Sequence, residues 1–135
     1  MDFDSSMSKV QALSGSTGEE LLSLKDKATE MGATTAWSAT QVSEAMQYMA
    51  LAGWDANEIL DGTTGILAAA SSTGEDLALV CDIITDGLSA FGMEAQESSR
   101  FADILSATAT GANTTIEMMG EAFTYAGSVA GTFNY

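Results

Sequence analysis

The sequence predicts an all-α protein. Its 135 residues include no proline and 22 alanines, and apolar residues recur at the three- and four-residue spacing of a helix face. Proline is the strongest helix breaker and alanine the best helix former, so this composition favours helices over strands. We expect about six helices, arranged as antiparallel helical hairpins.

The first two helices are predicted between residues 20 and 53. We expect the first to end at Gly32, a plausible C-terminal cap. The second begins at a capping box formed by Ser38 and Gln41 and ends before Gly53. The apolar faces are Leu21, Leu24, Ala28 and Met31 in the first helix, and Val42, Ala45, Met46 and Met49 in the second.

Two more helices are predicted between residues 55 and 92. Asp55 and Glu58 give the third helix its start signal, and Gly62 and Gly65 predict a break in its middle. Thr73 is the expected cap of the fourth helix. The third helix presents Ile59, Leu60, Ile66, Leu67 and Ala70, and the fourth presents Leu77, Val80, Cys81, Ile84, Leu88 and Phe91 before Gly92.

The last two helices follow from the same signals. A fifth is predicted over Glu94–Thr110. A sixth begins after Asn113 or Thr114, with Glu117 at capping-box spacing from the latter, and ends by Gly131. The apolar faces are Phe101, Ile104, Leu105 and Thr108 in the fifth helix, and Ile116, Met119, Phe123 and Ala126 in the sixth.

The glycines suggest an internal repeat. Gly53, Gly92 and Gly131 lie at intervals of 39 residues, and the segments Gly53–Glu58 and Gly92–Glu97 share Gly, Ala and Glu at matching positions. A period of this size suits a two-helix repeat. Ordinary punctuation of helices by a glycine stop and an acidic start produces the same pattern, so both interpretations stay open.

The length suits a single helical domain over residues 1–135, in which residues 1–16 are expected to form a flexible N-terminal segment. Nineteen acidic residues face four basic ones, for a net charge of −15 at pH 7. Binding of nucleic acid or of an anionic membrane surface is not expected, because both require basic side chains. Unbroken apolar runs such as Ile66–Ala70 are far shorter than the roughly 20 residues of a membrane span.

The residues expected of an enzyme are scarce. The chain has no histidine, and its one cysteine, Cys81, lies in an apolar stripe. Asp82 with Asp86, and Glu117 with Glu121, share helix faces at i,i+4 spacing, but they lack the six to eight oxygen ligands and the glycine-centred loop of a calcium site. We predict no catalytic, metal or cofactor-binding residues, no cofactor, and no enzymatic activity.

Four aromatic residues are candidates for contact with a protein partner. Trp37 and Trp54 lie at predicted helix boundaries, and Phe133 and Tyr135 are among the last three residues of the given sequence. A large amphipathic ring in such a position either staples two helices of the same chain or anchors an interface.

The segments Lys27–Ala39 and Val42–Trp54 resemble the core region of tailed-phage tape measure proteins, of the minor tail or tail-length tape measure family. The later features keep the family's order. They are the small-residue segment Leu67–Ala70, the helix from Asp82 to Phe91-Gly92, the segment Phe101–Leu105 and the helix start Asn113-Thr114. The resemblance covers about residues 3–135 and includes no catalytic signature.

The resemblance implies a structural and assembly role in a phage or prophage tail. Tape measure proteins are long helical chains inside the tail tube, where their length sets the tail length. The expected partners are tail tube proteins, tail tip proteins, tail assembly chaperones and other copies of the chain. The expected location is the tail lumen of the virion and, during assembly, the cytoplasm of the host bacterium.

The length of the chain departs from this family. Even a single continuous helix of 135 residues would reach only about 200 Å. We therefore expect a domain excised from a longer tape measure chain, with a prophage remnant as the other interpretation of the short length. The alternative is a freestanding acidic helical adaptor that binds a protein partner in a groove between helices.

Overall fold

The structure, a computed structural model, describes residues 2–112 and 114–123. Those residues form helices joined by short turns and contain no strand, which confirms the all-α prediction. A short 3-10 helix at Ala95–Glu97 leads directly into the sixth α-helix. The α-helices are α1 (Phe3–Ser14), α2 (Gly18–Thr34), α3 (Ala39–Leu51), α4 (Ala56–Thr73), α5 (Leu77–Ala90) and α6 (Ser98–Gly111), and residues 116–123, named α7 below, are also helical.

The chain divides into two compact units between Thr64 and Gly65, inside α4. In the first unit, α3 packs against both α1 and α2. The buried Ser6 of α1 joins α3 through hydrogen bonds, with its Oγ 2.6 Å from Ser43 Oγ and 2.7 Å from Gln47 Nε2. These bonds offset the cost of burying polar groups. The fully buried side chains around them include Met7, Val10, Leu24, Ala28, Val42, Met46 and Met49.

In the second unit, α5 packs against α6 and α7. The Phe123 ring contacts Phe91 edge-on, at 5.4 Å between centroids, and Phe101 at 5.8 Å. Such aromatic pairs add to the stabilisation that burial provides. The buried residues of this unit include Ile66, Leu67, Val80, Cys81, Ile84, Leu88, Ala102, Leu105 and Ile116.

Within residues 2–112 and 114–123, one type of turn occurs three times. Gly15, Gly53 and Gly92 have φ angles of 69°, 94° and 66°, in the left-handed region that favours glycine. Two residues after each glycine, a backbone N–H donates to a glutamate side chain three residues further on, at 2.8, 3.0 and 3.0 Å. The donor and acceptor residues are Thr17 and Glu20, Asp55 and Glu58, and Glu94 and Glu97. The motif therefore repeats every 38 or 39 residues, and its first copy was not recognised in the sequence.

The two units also share a packing relationship. In the first unit, Ser6 of α1 bonds to Ser43 of α3. In the second unit, a Cβ added to Gly120 of α7 would lie 2.9 Å from Ile83 of α5. The two residues of each pair are 37 positions apart. In each unit, therefore, the helix just before a left-handed glycine (α1 before Gly15, α5 before Gly92) packs on the helix that begins two α-helices later (α3 and α7). The antiparallel hairpin arrangement itself stays a prediction.

Two helix ends differ from the prediction. Gly32 does not end α2, which continues to Thr34. A Cβ on Gly32 would lie 2.6 Å from the backbone nitrogen of Ala39, so this glycine allows close packing instead. Thr73 is the last residue of α4 and not the cap of α5. Gly74 follows Thr73 with a left-handed φ of 70° and terminates α4. Asp76 caps α5, because its side chain accepts a hydrogen bond from Leu79 N at 3.0 Å.

Two further predictions are corrected. The break at Gly62 and Gly65 is absent, because α4 is continuous. A Cβ on Gly65 would lie 2.9 Å from Ser99 Cα, so packing compensates for its poor helix propensity. In α6, Ile104 is 51% exposed, and the buried face instead comprises Ser98, Phe101, Ala102, Leu105 and Ala109.

The first and last segments complete the comparison. Within residues 1–16, expected to be flexible, the structure contains α1, in which Met7 and Val10 are fully buried. The prediction of one domain over residues 1–135 stays a prediction. α7 begins at residue 116, close to the predicted start of the sixth helix, but Thr115 caps it instead of Thr114. Asn113, Ala126 and Gly131 lie outside the described residues.

Candidate functional site

The candidate site is a groove of about 270 Å³ between α5 and α7, within the second unit. Its lining combines apolar surface with carboxylates. Its apolar side chains include Leu79, Ile83, Ala90 and Phe123, its carboxylates include Asp82, Asp86, Glu117 and Glu121, and Gly87 and Gly120 also line it. The two i,i+4 acidic pairs identified in the sequence thus lie on two different walls of one groove.

Local capping positions the two walls. Asp76 caps α5, and Met118 N donates to Thr115 Oγ1 at 3.0 Å in the first turn of α7. Glu75, just before α5, also caps α7, because its carboxylate accepts from Ile116 N at 2.8 Å and from Glu117 N at 3.1 Å. A carboxylate at a helix N-terminus is stabilised by the positive end of the helix dipole. Glu75 therefore ties the starts of both walls together.

Two glycines let α5 pack closely against the neighbouring helices α6 and α7. A Cβ on Gly120 would meet three side-chain atoms of Ile83 at 2.9–3.1 Å, and a Cβ on Gly87 would meet the Phe101 ring at 2.9 Å. Contacts below 3.0 Å force the neighbour to shift. Glycine at these two positions therefore lets α5 lie close to both α6 and α7.

The groove carries uncompensated negative charge. Burial raises the pKa of Asp86, and the neighbouring carboxylate of Asp82 raises it further. Among the described residues that line the groove, none is a lysine or an arginine. A cation placed here would relieve the repulsion between the carboxylates.

The single cysteine of the chain is not an activated nucleophile. Cys81 precedes Asp82 in the chain and is fully buried, and burial, with a smaller contribution from Asp82, raises the pKa of its thiol to about 12. A thiol held protonated at neutral pH is a poor nucleophile. Within residues 2–112 and 114–123, no cluster of three or more acidic or cysteine side chains is arranged to hold a metal ion.

The predicted partner-contact residues lie elsewhere or outside the described residues. Trp37 is partly exposed in the turn before α3, and its backbone N–H donates to Thr35 Oγ1. Trp54 is 7% exposed and follows the left-handed Gly53. Phe133 and Tyr135 lie outside the described residues. The structure brings none of the described candidates into the groove, so partner contact through these residues stays a prediction.

Sequence reasoning missed the groove as a whole. Each acidic pair was visible from its spacing, but no sequence signal placed α5 beside α7. Gly120 was the available clue, since a glycine inside a predicted helix often marks a close approach of another element.

None of the helices in the described part of the chain combines the length and hydropathy that a membrane crossing needs.

These features define an acidic, all-helical chain with a carboxylate-lined groove in its second unit. The chain matches the phage-related minor tail protein family over residues 25–135, and it belongs to this family. It is also similar to the tape measure protein of Pneumococcus phage Dp-1, with 38% identity over 129 residues. That match covers 96% of the present chain and 11% of the phage protein, so the chain spans about a ninth of that relative. No solved structure matches the chain.

Proposed function

We propose that this chain is a non-enzymatic structural segment of a tape measure protein and helps to set the length of a phage tail. The observation that carries the proposal is the match to a tape measure protein over 96% of the chain. The helical fold supports it, because a helix rises about 1.5 Å per residue and converts chain length into distance.

The same proposal covers the surroundings of the segment. It lies in the tail lumen of the virion, and in the host cytoplasm during assembly. Its partners are tail tube proteins, tail tip proteins and tail assembly chaperones. A net charge of −15 suits a protein that shares a tube with DNA without binding phosphates.

An in-frame deletion in the phage genome tests the role in tail length. Removing the codons for these 135 residues should shorten the tail measured by electron microscopy, by at most about 200 Å if the segment is fully extended as a helix. An unrelated helical segment of equal length, inserted in its place, should restore the length.

Two results would contradict the proposal. Unchanged tail length with unchanged infectivity would show that the segment has no structural role. Unchanged tail length with reduced infectivity would instead favour the alternative, an acidic helical adaptor that binds a protein partner.

A further inference from the structure

We propose that the groove between α5 and α7 binds a basic amphipathic helix of a partner protein. In this arrangement an apolar side chain of the partner enters the groove, and lysine or arginine residues one turn apart pair with the carboxylates of both walls. Binding of a helix in a groove commonly uses side chains at i, i+3 and i+4 in this way.

The size and lining of the groove support a protein side chain as the occupant. Its volume of about 270 Å³ is below the usual 300–1,000 Å³ of small-molecule pockets. The apolar part, formed by Leu79, Ile83 and Phe123, offers a contact surface for one or two large side chains. Ile83 and Leu79 are only partly buried within the chain, so they retain apolar area that a partner can cover.

The charges specify the partner. Asp82 and Asp86 on one wall, and Glu117 and Glu121 on the other, are each spaced by about one helical turn, roughly 6 Å. Cations at i,i+4 on a partner helix match this spacing. Asp86 is largely exposed, but partial burial raises its pKa and the nearby Asp82 carboxylate raises it further, so a bound cation would lower the cost of this charge.

The charges also exclude a second copy of this chain as the favoured occupant. Each copy carries a net charge of −15, and two copies repel one another. The chain has only four basic residues, of which Lys25 and Lys27 are two positions apart and therefore do not share a helix face. A basic partner helix is attracted by the negative charge of this chain and can carry lysine or arginine residues at i,i+4 spacing.

A direct binding measurement tests the proposal on the complete 135-residue chain. The probe is a fluorescein-labelled synthetic helix of leucine, alanine and lysine, about 18 residues long, with lysines at i,i+4 on either side of a leucine stripe. Fluorescence anisotropy at about 0.15 M ionic strength should show saturable binding to one site. A scrambled peptide of the same composition, which lacks the apolar stripe, should bind at least about tenfold more weakly, since that difference corresponds to about 1.4 kcal/mol.

Matched charge variants separate the groove from general attraction to an acidic protein. D82N/D86N and E117Q/E121Q each remove two charges from one wall, and each should weaken binding of the probe by about tenfold or more. D26N/E30Q removes two charges at the same spacing from exposed positions on α2, and it should change binding by less than about twofold. Circular dichroism verifies that every variant keeps its helical content.

Two outcomes would overturn the proposal. One is the absence of saturable binding by the amphipathic probe. The other is an equal loss of affinity in D26N/E30Q and in the groove variants, which would mean that only the overall charge attracts the peptide. Neither outcome bears on tail length, so the proposed function and this inference fail independently.

Discussion

At the residue scale, several glycines act through the atoms packed against them. Gly32, Gly65 and Gly120 all lie inside helices, where glycine is a poor choice on propensity alone. In each case an added Cβ would meet a neighbouring residue at 2.9 Å or less. The absence of a side chain therefore permits contacts that compensate for the lost helix propensity.

Substitution of Gly32 tests this explanation. Gly32→Ala places a Cβ 2.6 Å from Ala39 N and 3.0 Å from Ala39 Cα, both backbone atoms. We expect a loss of about 1–3 kcal/mol in the free energy of unfolding, measured by urea denaturation, because overpacking displaces the backbone. Gly18→Ala is the control, since no atom lies within 4 Å of its added Cβ, and it should be neutral or stabilising. Equal effects at both positions would contradict the close-packing role.

Asp86 gives a prediction for pH. Its pKa is raised above 3.8 by burial and by Asp82, so the folded state binds a proton more readily than the unfolded state. As the pH rises above 3.8, the unfolded state loses this proton more readily than the folded state does. Ionisation of Asp86 therefore lowers the free energy of unfolding over the pH range between the two pKa values. Asp86→Asn should raise the melting temperature at neutral pH, by the equivalent of about 1 kcal/mol or less, since solvent screens this exposed group.

The Asp86→Asn effect should vanish at about pH 3, where the carboxyl group is protonated in both states. Asp26→Asn, which removes the same charge from an exposed position on α2, should raise the melting temperature at neutral pH by less. A melting temperature at neutral pH that is unchanged or lowered by Asp86→Asn would show that the carboxylate is not destabilising.

At the element scale, caps decide where the helices begin. Ser38, with Gln41, forms the reciprocal capping box that the sequence predicts, with bonds of 2.9 and 3.1 Å. The start at Asp55 and Glu58 is also as expected. These signals are readable from sequence because both partners lie within four residues of one another. The cap of α7 by Glu75 was not readable, since 41 residues separate Glu75 from Ile116.

Hydrogen exchange tests the role of Glu75. Glu75→Gln retains one oxygen acceptor but removes the charge and the two-oxygen contact with Ile116 N and Glu117 N. Hydrogen bonds to charged groups contribute about 1.5–3 kcal/mol, so exchange of these two amides should accelerate about tenfold or more. Glu44→Gln, at an exposed position on α3, should leave both rates unchanged. Unchanged exchange in Glu75→Gln would mean that the side chain does not hold α7.

At the scale of the whole molecule, charge opposes the compact state. Nineteen acidic residues and four basic ones leave a net charge of −15. The apolar core outweighs this repulsion within the two compact units. Its largest fully buried side chains are methionine, leucine, isoleucine and valine.

Salt should therefore stabilise the protein. Raising the NaCl concentration from about 20 mM to about 500 mM shortens the screening length several-fold and should raise the melting temperature at pH 7 by a few degrees, or about 1 kcal/mol. Near the sequence pI of about 4.1 the net charge approaches zero, and the same change in salt should have little effect. A melting temperature that falls with salt at pH 7 would indicate that favourable ion pairs dominate instead.

The sequence alone determined the helical class, the starts of α3 and α4, the acidic charge and the family pattern. These properties depend on composition or on residues within one helical turn of each other. The tertiary structure decided which glycines are packing positions, that Ile104 is exposed and that Glu75 caps α7. It also joined Asp82 and Asp86 with Glu117 and Glu121 in one groove. That juxtaposition depends on which helices pack together across more than 30 residues of chain, and local spacing carries no information about such pairing.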